Sequence, residues 1–267
     1  MPDIAARRWL FLFLVLASSA LGSLQLWSVL RIDGLNLSEF LFLSLFIILF
    51  GWIAASFWVA MLGAWAKLAS AQLLPLESAK GRSASRTAIL MPVYNEDVAR
   101  VFSGVRAMHR SLCDAAEIGF DFYILSDSTD PAHWIAEEVE WQTLRAQLDG
   151  DDVAPRLFYR HRHRNAGRKS GNIQDFCENW GALYDYMVVL DADSLMSGAC
   201  LGQLVRLMDA NPRTALIQVP PQLVGRHSLF ARIQQFASSV YGPIYGAGLS
   251  FLQGPDGNYW ELYTLVP

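Results

Sequence analysis

Charge is nearly missing from the first quarter of this chain of 267 residues: none falls in residues 9–30, between Arg8 and Arg31, and none in residues 40–66. A surface helix of a water-soluble domain needs a polar face, so neither run reads as one. At 1.5 Å per residue either is long enough to cross the roughly 30 Å hydrocarbon layer of a bilayer. Trp9, Trp27, Trp58 and Trp65 lie towards the ends of the runs, where indoles favour the membrane interface. Cysteine is also scarce. Cys113, Cys177 and Cys200 are an odd set without metal-finger spacing, which excludes a disulfide framework and reads as buried small hydrophobes in a reducing compartment. A basic excess is lacking, with 21 Lys and Arg against 25 Asp and Glu and a net charge of −4. That balance argues against general nucleic-acid binding. The chain has no Walker loop, no G-x-G-x-x-G turn after its first strand, no Ser/His/Asp or Cys/His ordering for acyl transfer, no repeat and no low-complexity tract.

Basic residues orient the two spans. Arg7 and Arg8 flank the first, while Lys67, Lys80, Arg82 and Arg86 follow the second, and the connection "RIDGLNLSE" carries only Arg31. Both ends of the hairpin are therefore expected on the cytoplasmic side. The first run also fits a cleaved signal peptide, since Arg7 and Arg8 precede it and "ASSALG" offers small residues. Cleavage would leave the bulk of the chain cytoplasmic all the same. Four segments follow: a membrane hairpin over 1–66 with spans at about 9–30 and 40–66, a polar linker over 67–86, a folded domain over 87–226, and an aromatic-rich, charge-poor segment over 227–267. That last segment reads as an interfacial helix and loop on a membrane, or as core surface exposed by a missing neighbour.

From Thr87 onward the periodicity switches repeatedly. Strands are expected at 87–93, 120–127, 156–162, 186–193 and 214–220. Between them Val98, Val101, Phe102, Val105, Met108 and Leu112 recur at helical spacing, as do Ile173, Phe176, Cys177 and Trp180. "PAHWIAEEVEWQTLRAQL" (131–148) and "CLGQLVRLMDA" (200–210) are also helical in pattern. Strands apolar on both sides and alternating with helices imply an α/β fold, a mainly parallel sheet with helices on both faces. Ligands of such sheets bind beyond the carboxyl ends of the strands, and those ends carry "YNED", "SDSTD", "RHRNAGRKSGN", "DADS" and "PPQ".

On an extended chain Asp191 and Asp193 would leave one face about 6.6 Å apart. Their repulsion is relieved by a divalent cation, Mg²⁺ or Mn²⁺, which completes its octahedron with water and phosphate oxygens. Aspartates also end many strands as turn formers. In "RNAGRKSGN" (164–172), Gly167 and Gly171 let backbone amides approach an anion, Ser170 or Asn172 can cap the following helix, and Arg168 and Lys169 add positive charge. A diphosphate suits that loop, although an ordinary capped helix behind a solvated basic loop has the same pattern. Asp127 can accept hydrogen bonds from a uracil or ribose, or simply start a turn; Asn95 and Glu96 are equally ambiguous. Arg160, Arg162 and Arg164 alternate with Tyr159, His161 and His163. RNA would need more stacking aromatics than this, so a solvated edge or a membrane-surface patch fits better. His109 and His133 have no partner at ligand spacing.

"ILMPVYNED", "ILSDS", "NAGRKSGN" and "VVLDADS", in this order and at these strand ends, resemble the GT-A domain of membrane-bound family 2 glycosyltransferases. "YRHRHRNAGRKSGNIQDF", "IQVPPQ" and the two preceding spans are most similar to the branch of that family that makes osmoregulated periplasmic glucans in Gram-negative bacteria. The resemblance covers nearly the whole chain. It implies an inverting glucosyltransferase of the bacterial inner membrane, multi-pass, with its donor-binding domain in the cytoplasm. Such an enzyme transfers glucose from UDP-glucose to a growing linear β-1,2-glucan chain, with the lipid bilayer and a periplasmic glucan-processing protein as partners and no nucleic acid. By residue, Asp127 would hold the uridine, with Tyr94, Asn95 and Glu96 nearby. Arg168 and Lys169 would face the diphosphate, Asp191 the ribose or metal, and Asp193 would ligate Mg²⁺ or Mn²⁺. The family's general base, in a T/S-E-D motif, and its Q-x-x-R-W motif have no counterpart here; Asp256 in "GPDGN" reads as a turn. The chain is accordingly expected to be a truncated piece that binds nucleotide without being a processive synthase. Shared donor motifs leave open a cellulose- or hyaluronan-type synthase. The missing base leaves open a non-catalytic, membrane-anchored UDP-sugar sensor.

Overall fold

The computed structural model describes residues 3–34, 36–69, 81–148, 154–219, 228–254 and 264–266. Most of the expected linker, the "PPQ" at 220–222 and the turn around Asp256 lie outside the described residues. The chain divides into two compact units, one holding residues 1–75 and 222–259, the other 76–221 and 260–267.

The first unit opens with two long helices, α1 (Ile4–Leu30) and α2 (Leu37–Leu68), both apolar and long enough to cross a membrane by length and composition. α2 starts on a capping box. The Asn36 Oδ1 accepts from the Glu39 N–H at 2.9 Å, and Glu39 Oε2 accepts from the Asn36 N–H at 3.0 Å, so two of the orphan donors of the first turn are satisfied reciprocally. Between the helices Trp58 Nε1 donates to Ser18 Oγ at 2.7 Å. Their outer surface exposes Trp9, Leu24, Ile48 and Trp52, an arrangement that water penalises and lipid does not.

The second unit is built on six strands: β1 (Thr87–Val93), β2 (Phe120–Ser126), β3 (Arg156–His161), β4 (Tyr186–Val189), β5 (Ile217–Gln218) and β6 (Thr264–Val266), in the order β3-β2-β1-β4-β6-β5. The first four are parallel, with Thr87 opposite Phe120 and Tyr186, and Asp121 opposite Arg156; β6 runs antiparallel to both neighbours. Helices α3 (Val98–Asp114), α4 (Pro131–Leu148), α5 (Arg168–Trp180) and α6 (Gly198–Ala210) connect them. Alternation divides β1 and β2 between two cores. Ile89, Met91 and Phe122 pack with Phe102, Val105, Leu144, Leu201 and Leu204, whereas Ala88, Leu90, Tyr123 and Leu125 pack with Phe176 and Val189. Burial of both faces is what made these strands read as apolar throughout. Asp97 and Ser197 cap α3 and α6, each accepting from the N–H three residues on.

Several expectations change. The fourth strand ends at Val189, four residues short. The Leu190 N–H still donates to Leu90 O at 2.9 Å, and the chain then turns, with Ser194 N donating to Asp191 O at 3.0 Å. Asp191 and Asp193 thus sit on a turn rather than on an extended chain. The fifth strand covers Ile217–Gln218 and pairs with β6 rather than directly with β4; residue 220 lies outside the described residues. Of the cysteines expected to be buried, Cys113 and Cys177 are exposed and Cys200 is intermediate.

The segment over 227–267 contributes to both units. Thr264–Val266 joins the sheet, and α7 (Leu229–Gln253) joins the first unit. It packs on α2 through glycine: a Cβ on Gly63 would fall onto the Ile244 carbonyl, and one on Gly248 onto the Val59 carbonyl. Backbones this close are the small-residue mode of helix contact. Trp65 meets Phe251 edge to face at 5.6 Å. At the end of α7, Arg7 Nη1 donates to Phe251 O at 3.3 Å while Arg8 donates to Leu252 O at 3.0 Å and Gln253 O at 3.1 Å. These cations meet the unsatisfied carbonyls and negative dipole end of a helix. The first half of α7 exposes Leu229, Phe230, Ile233 and Phe236.

Candidate functional site

Polar side chains converge where β1, β2, β3 and β4 end. After β1, Asn95 takes a left-handed φ of 51°, a conformation asparagine tolerates better than most residues. Its side chain then reaches the loop after β2. Asn95 Oδ1 accepts from the N–H groups of Thr129 and Asp130 at 3.1 and 3.2 Å, and its own N–H donates to Ser128 Oγ at 2.9 Å. Ser128 Oγ in turn donates to the buried Glu137 at 2.6 Å. Asn95 therefore binds one loop to the next. Tyr94 and Glu96 beside it are exposed.

Asp127 is 4% exposed, a burial that a carboxylate sustains only with a partner. The partner is Arg162, whose Nε and Nη2 donate to the two carboxylate oxygens at 2.7 and 2.8 Å. The same guanidinium donates to Ala166 O at 3.1 Å and Arg168 O at 3.2 Å. The bond to Asp127 raises the Arg162 pKa above its ordinary value. One residue thus ties the end of β2 to the basic loop. A fork of fixed geometry is what a bidentate carboxylate needs, and lysine could not replace it.

The loop closes on two glycines. Gly167 has φ +71°, which favours a residue without Cβ, and a Cβ on Gly171 would collide with the Ala166 carbonyl. α5 starts at Arg168, five residues before the helix its apolar spacing marked, so Arg168, Lys169 and Ser170 occupy its first turn. No side chain caps it. Ser170 or Asn172 was the expected cap; Asn172 instead is buried and donates to Leu125 O at 2.9 Å. The Arg168 N–H donates to Asn165 O at 3.5 Å, and the start of the helix carries a positive dipole end, which suits an anion.

Lys169 Nζ donates to Asp191 Oδ1 at 2.5 Å. Asp193, two residues on, is exposed and its Oδ2 lies 3.5 Å from Arg100 Nη2, an ion pair weak at that exposure. The structure therefore brings together Asp127, Arg168, Lys169, Asp191 and Asp193, with Asn95 bracing the neighbouring loop. It adds Ser128, Glu137 and Arg100, for which no local pattern in the sequence speaks. Arg160 and Arg162, expected on a solvated edge or a membrane-surface patch, are instead mostly buried and paired with Asp175 and Asp127. No group of three or more His, Cys, Asp or Glu side chains positioned for a metal occurs among the described residues. The Asp191–Ser194 turn offers two carboxylates, enough for a cation that draws its other ligands from phosphate and water.

A mainly parallel sheet with helices on both faces and polar loops at the carboxyl ends of its strands defines a ligand-binding α/β class. The model of "Glycosyl transferase family 2" matches residues 88–245, more than half of the chain, and the chain belongs to that family; its mainly parallel sheet with helices on both faces is the GT-A architecture. Among curated relatives it is 45% identical over 99% of its length to glucans biosynthesis glucosyltransferase H of Cupriavidus pinatubonensis. To the protein of the same name from Dickeya dadantii it is 48% identical over 84% of its length. The chain spans 31% and 27% of these relatives. A solved structure, mannosyltransferase PcManGT from Pyrobaculum calidifontis in complex with GDP-Man and Mn²⁺, is 17% identical at a TM-score of 0.44, with 63% of this chain and 46% of that one covered.

Proposed function

We propose that the sheet unit is the donor-binding part of an inverting glucosyltransferase that uses UDP-glucose to extend the β-1,2-linked backbone of periplasmic glucans. The hairpin α1–α2 spans the inner membrane, and the sheet unit faces the cytoplasm, where nucleotide sugars are found. The observation that carries this reading is the Lys169–Asp191 contact. It joins the glycine-hinged basic loop to the aspartate turn, which supports reading the cation, the start of α5 and the two carboxylates as one diphosphate and metal site.

In this reading Asp127 accepts from the uracil ring, held in orientation by Arg162, while Tyr94, Asn95 and Glu96 border the nucleoside. Lys169, released from Asp191 when a diphosphate enters, and Arg168 take the negative charge that grows on the leaving UDP. Asp193 and Asp191 would hold Mg²⁺ or Mn²⁺, which when bound supplies Lewis-acid neutralisation of that diphosphate. The acceptor hydroxyl attacks the anomeric carbon from the side opposite the departing UDP oxygen, which inverts its configuration; its proton goes to a general base that is not among these residues. The relatives carrying the name glucans biosynthesis glucosyltransferase H support glucose as the sugar and a glucan as the product.

Calorimetry on the detergent-solubilised chain tests the donor site. UDP and UDP-glucose are expected to bind with a Kd between about 1 μM and 1 mM, more tightly with Mn²⁺ present. Asp193→Ala should remove the Mn²⁺ dependence and leave weak metal-free binding. A folded chain that binds neither nucleotide, or an unchanged Mn²⁺ dependence in Asp193→Ala, would overturn the assignment.

A further inference from the structure

The sheet unit has a second concave surface, along the outer strand and away from the Asp191–Ser194 turn. Arg156, Phe158 and Arg160 alternate onto one face of β3; the last turn of α5, with Trp180, and the following Tyr184 form the facing wall, and Arg86, just before β1, closes one end. The cavity measures about 380 Å³, within the range of small-molecule sites, about 300–1,000 Å³.

Its walls are layered. Arg86 lies 4.9 Å over the Tyr184 ring, Arg156 5.5 Å over Phe158 and Arg160 5.9 Å over Trp180. Beneath them Tyr123 stacks on Phe158 at 4.8 Å and meets Tyr184 edge to face at 5.8 Å, so the rings are held by one another.

The guanidiniums are unequally paired. Arg86, Arg156 and Arg160 bond two carboxylates through their side chains, and a third carboxylate, Asp185, accepts from the Arg86 backbone N–H at 2.8 Å. Asp121 serves both Arg86, at 3.1 Å, and Arg156, at 2.9 and 3.0 Å, while also accepting from the Tyr184 hydroxyl at 2.8 Å. Asp175 serves Arg160 at 3.0 Å. Burial opposes the Asp121 charge, yet the bonds from Arg156 and Tyr184 outweigh it and hold the pKa below the usual carboxylate range. Its acceptor capacity is thus used by groups already present. Arg160 is mostly buried, and its Nε and Nη1 have no hydrogen-bond partner. Burial lowers its pKa in spite of Asp175. Two donors of this buried guanidinium are therefore left without an acceptor, while Arg86 and Arg156 keep exposed guanidinium edges at the cavity mouth.

We infer that this cavity binds a small anion carrying a planar ring, of the nucleoside monophosphate class, with the ring on the aromatic and guanidinium layers and the phosphate drawn to Arg86 and Arg156. A purely apolar ligand would leave the guanidinium donors unmet, and a bare anion would leave the aromatic walls without a partner. Nothing in this assignment depends on the donor site; it makes the sheet unit responsive to a second nucleotide-like ligand.

The test uses the full chain in detergent with saturating UDP and Mn²⁺, titrated with AMP. Saturable binding is expected, weakened about tenfold or more by Arg156→Met and by Arg86→Met and unchanged by Asp193→Ala, with inorganic phosphate and adenosine each at least about tenfold weaker than AMP. Circular dichroism and thermal melting identify which variants remain folded. Trp180→Leu, which keeps every charge, should weaken AMP and leave phosphate unaffected. The proposal is overturned by a folded wild-type chain that shows no AMP binding at about 10 mM, by AMP binding that UDP displaces or that Asp193→Ala abolishes, or by phosphate binding as tightly as AMP.

Discussion

At the end of β3 one guanidinium, that of Arg162, meets a carboxylate and two backbone carbonyls. Both Arg162 and Asp127 are largely withdrawn from water, with side-chain exposures of 13% and 5%. Removing one member of such a pair leaves a buried charge without a counter-ion, a loss of about 3–5 kcal/mol. Arg162→Met is therefore expected to lower unfolding free energy by about 3–5 kcal/mol in denaturant titrations and to weaken UDP binding, because the 162–168 loop loses its anchor. Arg162→Lys should recover only part of either, since an ammonium cannot reproduce the fork. Stability and affinity both unchanged in Arg162→Met would show that the pair anchors nothing. The sequence showed Arg162 as one of three alternating arginines. Its role depends on Asp127, 35 residues away, and no local pattern connects them.

The element that decides the site's shape is the turn from β3 into α5. Gly171 stands against the Ala166 carbonyl with no room for a methyl group, while Gly167 takes φ +71°. Gly171→Ala should cost about 1–3 kcal/mol by overpacking and lower affinity for UDP, because the loop must move away from the first turn of α5. A Gly171→Ala chain with wild-type nucleotide affinity would separate the loop from donor binding. The two glycines are legible in the sequence as points where the backbone comes close; the start of α5 is not. Apolar spacing marks only the buried part of a helix, from Ile173 onward, whereas Arg168, Lys169 and Ser170 form the polar first turn. The aspartates of "DADS" were misplaced for the opposite reason. Apolar alternation continues past Val189, yet ladder pairing stops there and a turn takes over.

Across the molecule, two units draw on separate parts of the chain. α7 belongs with α1 and α2, while β6, beyond it in sequence, completes the sheet between β4 and β5. The glycine contact between α2 and α7 makes the first unit sensitive to side-chain size at Gly248, where a Cβ would strike the Val59 carbonyl. Gly248→Leu is expected to lower the Tm of the detergent-solubilised chain by several degrees, for a cost of about 1–3 kcal/mol, while UDP still binds the sheet unit. An unchanged Tm would mean that α7 does not depend on this contact. Composition marks the segment over 227–267 as an interfacial helix and loop or as exposed core surface; its contact with α2 depends on partners 185 positions apart, Gly63 and Gly248.

By itself the sequence determined the two uncharged runs, the sheet with helices on both faces, the bounds of β1 and α4, and the polar strand ends. These are local consequences of hydrophobic period and turn chemistry, which neighbouring residues along the chain specify. Tertiary structure alone decided the pairings: Arg162 with Asp127, Lys169 with Asp191, Asn95 with the loop after β2, Gly63 with Gly248. They depend on strand order and helix contact. The order β3-β2-β1-β4 sets the loops after β2 and β3 side by side, and burial then requires a carboxylate and a guanidinium that lie far apart in sequence to satisfy each other.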